Sequence, residues 1–221
     1  MAQALVVGAS GGIGRALVAA LRARGDQVTG LSRSADGLDV TDEASIAAAL
    51  APLTAPFQTV IVATGALEIS GAAPEKSLAR LEASALAAQF ALNSIGPMLV
   101  LKHALRLMPR DAPARFAVLS ARVGSIGDNR LGGWYSYRAA KSALNQLVHT
   151  AAIEIARSHP QAVVACLHPG TVATPFTARY LGTHPAVPPD VAAQNLLAVL
   201  DGLAPAQTGG FFDAQGQVVP W

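Results

Sequence analysis

Only one cysteine, Cys166, occurs in the 221 residues, which excludes an intrachain disulfide and a metal cluster built on cysteines. It lies in the apolar run Ala162–Leu167 and reads as a small buried core side chain. Charge is scarce too: 14% of residues are Asp, Glu, Lys or Arg, with 16 basic against 14 acidic for a net +2. No basic block interrupts that near-even count, so nucleic-acid binding has no electrostatic support. No unbroken apolar run of about 18 residues follows the N-terminal strand, so neither a membrane span nor a targeting segment is expected. The histidines show no metal-ligand spacing, and no metal site is expected. A cytoplasmic, soluble protein is the resulting expectation.

What remains is strongly apolar, with 52% hydrophobic residues and a mean hydropathy of +0.38, a composition that does not support disorder. This length suits one domain over residues 1–221, burying about 70% of its unfolded surface. Short apolar runs at Ala4–Val7, Val28–Leu31, Thr59–Ala63, Phe116–Leu119 and Val163–Leu167 read as strands covered on both faces. Helix-length segments at Ile13–Arg24, Ser77–Met108, Ser136–Ser158 and Val191–Leu203 alternate with them. The fold class is α/β, a Rossmann-type doubly wound parallel sheet of roughly six or seven strands with helices on both faces. Leu38, Asp39 and Val40 look like the tip of a third strand, yet only Ser34–Gly37 separate them from the second. That is too short for a parallel crossover, so this strand and its helix are expected to be reduced. The proline-rich segment Phe176–Pro189 is the candidate lid.

The stretch Gly8, Ala9, Ser10, Gly11, Gly12, Ile13, Gly14 follows the first strand and opens the first helix. There the backbone can approach a pyrophosphate, and the helix N-terminus offers unpaired N–H donors. At the end of the second strand, about 20 residues on, NAD sites place an acid on the ribose. Arg33 stands there instead, and a guanidinium suits a 2′-phosphate, so NADP(H) is preferred over NAD(H). Tyr137 and Lys141 are four residues apart on a helix and share a face. An ammonium that close is expected to lower the phenol's pKa, fitting Tyr137 to exchange a proton with a carbonyl or an alcohol.

In the order, spacing and context of these motifs the chain resembles the short-chain dehydrogenase/reductase family along nearly its whole length. The resemblance implies carbonyl reduction, or the reverse alcohol oxidation, on a small-molecule substrate by a homodimer or homotetramer. It implies that Tyr137 is the acid/base, that Lys141 also bonds the nicotinamide ribose, and that Asn93 holds a water linked to the lysine. Asp39 and Val40 would hold the adenine, and Ala63, Thr64 and Gly65 would border the cofactor. Pro169, Gly170, Val172 and Thr174 would anchor the carboxamide and select the face that delivers hydride.

Three departures stand out. The family's Asn-Asn-Ala-Gly appears as Val62, Ala63, Thr64, Gly65, without the bracing asparagine. Ala121 occupies the place of the catalytic serine, and Ser125, or else Ser120, is expected to substitute, with Ser125 preferred as facing the cleft. The loop from Ser125 to Trp134 is longer than usual. That loop, the run Ser-Ala-Arg-Val-Gly-Ser and the closing Asp213–Gly216 and Pro220-Trp221 resemble the bacterial C-factor branch, whose relatives include sniffer-type carbonyl reductases. A cofactor-binding signalling or scaffold protein is therefore the alternative reading. Trp134, Tyr135, Leu131, Phe176 and Tyr180 are candidate pocket residues, and His168 is expected to make a structural hydrogen bond.

Overall fold

In the computed structural model, which describes every residue except 55, 176 and 181–184, six strands form one parallel sheet. They are β1 (Gln3–Val7), β2 (Gln27–Leu31), β3 (Thr59–Val62), β4 (Ala114–Leu119), β5 (Ala162–His168) and β6 (Phe211–Asp213), in the spatial order β2-β1-β3-β4-β5-β6. Side chains alternate across each strand. Ala4 and Val6 of β1 face α1 (Gly12–Ala23) and α7 (Pro189–Gly202), with Leu17, Leu21 and Leu196 fully or almost fully buried between the layers. Leu5 and Val7 face the other layer, built from α3 (Glu43–Leu50), α5 (Gly96–Ala104) and α6 (Tyr135–Ile155). The chain leaves β1 towards β2 and returns to β3 on the other side, so a crevice opens at the C-terminal strand ends, where α/β sheets hold ligands.

The reduced third strand is absent altogether: Leu38–Val40 has no strand pairing, and the sheet ends at β2. The preceding α2 (Arg33–Asp36) is a single turn closed by Gly37 at φ 68°, too short a path to lay down a parallel neighbour. Leu38 and Val40 instead plug the core. A Cβ at Gly96 would lie 2.5 Å from the Val40 carbonyl oxygen, so glycine there admits the segment against α5. Two further elements were not anticipated. Helix α3 starts where Asp42 accepts a hydrogen bond from Ala44 N at 3.0 Å, and β6 is only three residues long.

The expected long helix over Ser77–Met108 is divided. α4 (Ala83–Phe90) passes through a π-helical turn at Ala91–Ile95 into α5, with short 3₁₀ turns at both ends. Contrary to the sequence expectation, Ala83–Leu107 is long and apolar enough to cross a membrane by length and composition, with a hydropathy of 1.4. Three of its polar residues, Gln89, Asn93 and Ser94, are buried against protein: Ser94 Oγ donates to Ala140 O of α6 at 2.5 Å, and Gln89 and Asn93 bond the loop after β3.

Candidate functional site

A cavity of about 800 Å³ opens along the C-terminal strand ends. At one end lies the glycine loop, tied to β2 where Gly8 N and Ala9 N donate to Leu31 O at 2.8 and 3.0 Å. Gly14 has to be glycine, because a Cβ there would lie 2.0 Å from Gly8 O. Helix α1 begins with no side-chain cap and no acid in its first turn, leaving its N–H groups to an anion. Ser10, Gly11, Gly12 and Ile13 line the cavity, as does Arg15, whose Nη1 donates to Ser10 O at 2.8 Å. Sequence reasoning passed over Arg15.

Arg33 is exposed on α2, beyond the end of β2. The nearby acids are engaged: Asp36 accepts from Ser32 N at 2.7 Å, and Asp39 accepts from Thr41 N and Oγ1 at 2.9 and 2.7 Å. The Thr41 bonds, with a smaller contribution from the Arg33 charge, hold the Asp39 carboxyl below its ordinary value. Arg33, Asp39 and Val40 lie outside the lining of the main cavity, past its β2 edge.

Tyr137 and Lys141 enter the cavity from the first two turns of α6 and are 6% and 2% exposed. Lys141 Nζ donates to Leu119 O at 2.8 Å and sits 5.8 Å from the centre of the Tyr137 ring. Burial pushes the lysine down to about 8. Burial also pushes the Tyr137 phenol up, which corrects the expected lowering by the lysine. The cause is desolvation: the phenolate would lose water in the same enclosed space, while the ammonium is spent on the β4 carbonyl.

Asn93 lies on the π turn, a feature frequent at functional sites. Its Nδ2 donates to Ala66 O at 2.9 Å and to Gln89 Oε1 at 2.6 Å, and its Oδ1 accepts from Ala66 N at 3.2 Å. Gly65, at φ 154°, fits against it: a Cβ would lie 2.8 Å from Asn93 Oδ1 and 3.7 Å from Lys141 Nζ. Ala63, Thr64 and Gly65 line the cavity together with Pro169, Gly170, Val172 and Thr174. The Thr64 hydroxyl is buried without a partner among the described residues.

Ser125 does not join this group. It is 1% exposed, its Oγ accepts from Asp128 N at 3.0 Å, and it is not part of the cavity lining. The expectation that it faces the cleft is corrected, because the hydroxyl is consumed in closing the turn after β4. Ser120 is likewise engaged, donating to Asn145 Oδ1 at 2.6 Å. Ala121 itself lines the cavity, without a hydroxyl.

The far wall carries Arg122, which spacing did not reveal, beside several of the expected pocket residues. Arg122 bridges Asp128 and Asp213, at 2.9 Å to each. Tyr180 OH donates to Glu68 at 2.5 Å and Arg179 pairs with the same carboxylate at 3.1 Å, linking the start of the lid to the loop after β3. The Trp134 ring stands edge-on to Tyr137 at 6.4 Å and to Tyr180 at 5.5 Å. Leu131 and Tyr180 line the cavity, whereas Tyr135 does not. Phe176 and His184 lie outside the described residues.

His168 lines the cavity, but its buried Nδ1 has no hydrogen-bond partner among the described residues, against the structural bond expected of it. Burial, aided by the Arg122 charge, pushes its pKa from 6.5 down to about 4. The unfolded chain therefore takes up this proton at higher pH than the folded one, and stability falls as pH drops from 6.5 towards 4. The loss reaches about 3 kcal/mol. Urea unfolding across that range should show a flatter dependence in His168→Asn; an unchanged slope would place the acid sensitivity elsewhere.

A glycine-loop nucleotide site and a buried Tyr-Lys pair on one parallel sheet define a dinucleotide-dependent oxidoreductase. Residues 2–183 match the family model described as short chain dehydrogenase, and the chain belongs to that family, as an NAD(P)-dependent oxidoreductase. It is 30% identical over 233 aligned positions, covering 100% of both chains, to the 1-hydroxy-2-glutathionyl-2-methyl-3-butene dehydrogenase of Rhodococcus sp. (strain AD45). It is 36% identical over 137 residues to the C-signal protein of Myxococcus xanthus, covering 62% of this chain and 78% of that one. Among solved structures, the NADPH-bound carbonyl reductase from chicken fatty liver superposes with a TM-score of 0.83 at 25% identity, covering 99% and 98% of the two chains.

Proposed function

We propose that this chain is a single-domain NADPH-dependent carbonyl reductase that converts a ketone or aldehyde to the alcohol, and reversibly the alcohol to the carbonyl. The observation that carries the reading is the enclosure of Tyr137 and Lys141 in the same cavity as the uncapped glycine loop. Bound NADPH supplies a hydride to the carbonyl carbon. Tyr137 gives its phenolic proton to the carbonyl oxygen, and Lys141 and Asn93 hold the route by which that proton is replaced. The backbone of Val172 and the side chain of Thr174, beside Pro169 and Gly170, orient the nicotinamide. Gly8, Ser10, Gly11, Gly12, Ile13 and Gly14 hold the pyrophosphate, with Ala63, Thr64 and Gly65 beside it. Asp39 and Val40 border the adenine. The exposed apolar side chains Ile95, Leu147 and Ile153 support a homo-oligomer, which we place in the cytoplasm.

The reading is tested by NADPH oxidation across a panel of diketones, quinones and aldehydes. Turnover supports it. Tight NADPH binding with no turnover anywhere in the panel would favour the second reading, a cofactor-binding signalling or scaffold protein, to which Ala121 and the C-signal relative point. The preference for NADPH rests on Arg33, with the adjacent acids already engaged. Arg33→Asp is expected to weaken NADPH binding by about 10- to 100-fold and leave NADH nearly unaffected, since one charge-assisted guanidinium–phosphate contact is lost. Fluorescence titration of both cofactors measures this; tighter NADH than NADPH binding in the unaltered protein would overturn the assignment.

A further inference from the structure

The entry to the catalytic helix is strained. Gly132, Gly133 and Trp134 follow one another at φ 63°, 66° and 52°, and Trp134 is a non-glycine residue held in the left-handed region. That conformation persists only where its surroundings fix it. Helix α6 also starts with no side-chain cap of its own and no acid in its first turn.

Both deficits are met by Glu75, far back along the chain in the loop after β3. Its backbone oxygen accepts from Trp134 N at 2.5 Å. Its carboxylate accepts from Ser136 N at 3.2 Å and also from Ser136 Oγ. Glu75 is 6% exposed and Ser136 is 2% exposed. Burial alone would raise the Glu75 carboxyl, but the hydrogen bonds from Ser136 help hold it below its ordinary value, so it is an anion at neutral pH. An anion here meets the positive end of the α6 dipole. The next residue after Ser136 is Tyr137. The same loop is pinned at its start by Asn93 and Gln89 and bonded at Glu68 to Tyr180.

We propose that Glu75 is a positioning residue for Tyr137, a remote cap that fixes the left-handed entry and first turn of α6 and so holds the phenol at the reacting oxygen. This rests on the reading of Tyr137 as the acid/base. A small misplacement of a reacting group costs rate and leaves cofactor binding intact.

The test measures kcat per NADPH-binding site in Glu75→Ala, Glu75→Gln and Ser136→Ala, each alone and combined with Tyr137→Phe. Glu75→Ala is expected to lower kcat by about 10- to 100-fold with KM for NADPH unchanged. Glu75→Gln, which keeps an acceptor for Ser136 N, should recover part of that loss. Ser136→Ala removes only the hydroxyl bond and gives a smaller fall in the same direction; it serves if Glu75→Ala does not fold. In the Tyr137→Phe background all three changes should have no further effect, because the group they position has gone. An unchanged kcat in Glu75→Ala, or in Ser136→Ala where Glu75→Ala does not fold, would overturn the proposal. So would an equal loss in both backgrounds. If Tyr137→Phe alone keeps the full rate, the acid/base reading fails first and Glu75 has nothing to position.

Discussion

Tyr137→Phe is expected to lower kcat for carbonyl reduction by about 10²- to 10⁴-fold, the usual contribution of a positioned acid. The substitution keeps the ring, and with it the edge contact to Trp134 at 6.4 Å, so packing at the head of α6 survives and only the hydroxyl is lost. NADPH affinity should therefore hold, since the glycine loop and Arg33 are untouched. Stopped-flow absorbance of enzyme-bound NADPH separates binding from hydride transfer. Burial pushes the phenol up, so Tyr137 is protonated and ready to donate at neutral pH. Burial pushes Lys141 down to about 8, so it is expected to set the alkaline limb of kcat against pH. An unchanged rate would mean that another group, with Lys141 nearest, delivers the proton.

The second large effect is a gain. Ala121→Ser is expected to raise kcat by up to about 10²-fold, since one donor to a developing oxyanion contributes about 10² to 10³ in rate. Ala121 already lines the cavity, so its added hydroxyl projects from a wall position. The neighbouring hydroxyls cannot move in: Ser120 is committed to Asn145 and Ser125 to the backbone of Asp128. Steady-state rates on the most reactive carbonyl of the panel report the outcome. A rate that stays the same or falls would show that the site works through geometry built around the smaller residue.

The features legible in the sequence are those that demand a residue type by local geometry. Gly14 can be read because nothing larger fits 2.0 Å from a carbonyl oxygen, and the strands because burial on both faces leaves an unbroken apolar run. Tyr137 and Lys141 could be read from helical spacing, but the direction of the tyrosine's shift could not. It depends on how much water the fold removes and on Leu119 O capturing the ammonium. Ser125 was misplaced for a similar reason: a serine near a strand end can face the cleft or cap its own turn, and the choice lies in backbone geometry. The contacts of Glu75, Glu68 and Arg122 span 61, 112 and 91 residues, and no periodicity reports on pairs so far apart. The lost third strand was half legible, since the short Ser34–Gly37 link excluded a normal crossover.

That loss leaves β2 paired on one side only, with β1. A lone outer strand offers a row of unmatched backbone donors and acceptors on which a second chain could add a strand. Here the row is five residues long, has Gly30 near its end, and gives way to the exposed Arg33, Ser34 and Asp36. A strand so brief, with charge crowded at its exit, is a poor template for fibril-like growth. The border that carries Arg33 thus also disfavours the addition of a further strand at this edge of the sheet.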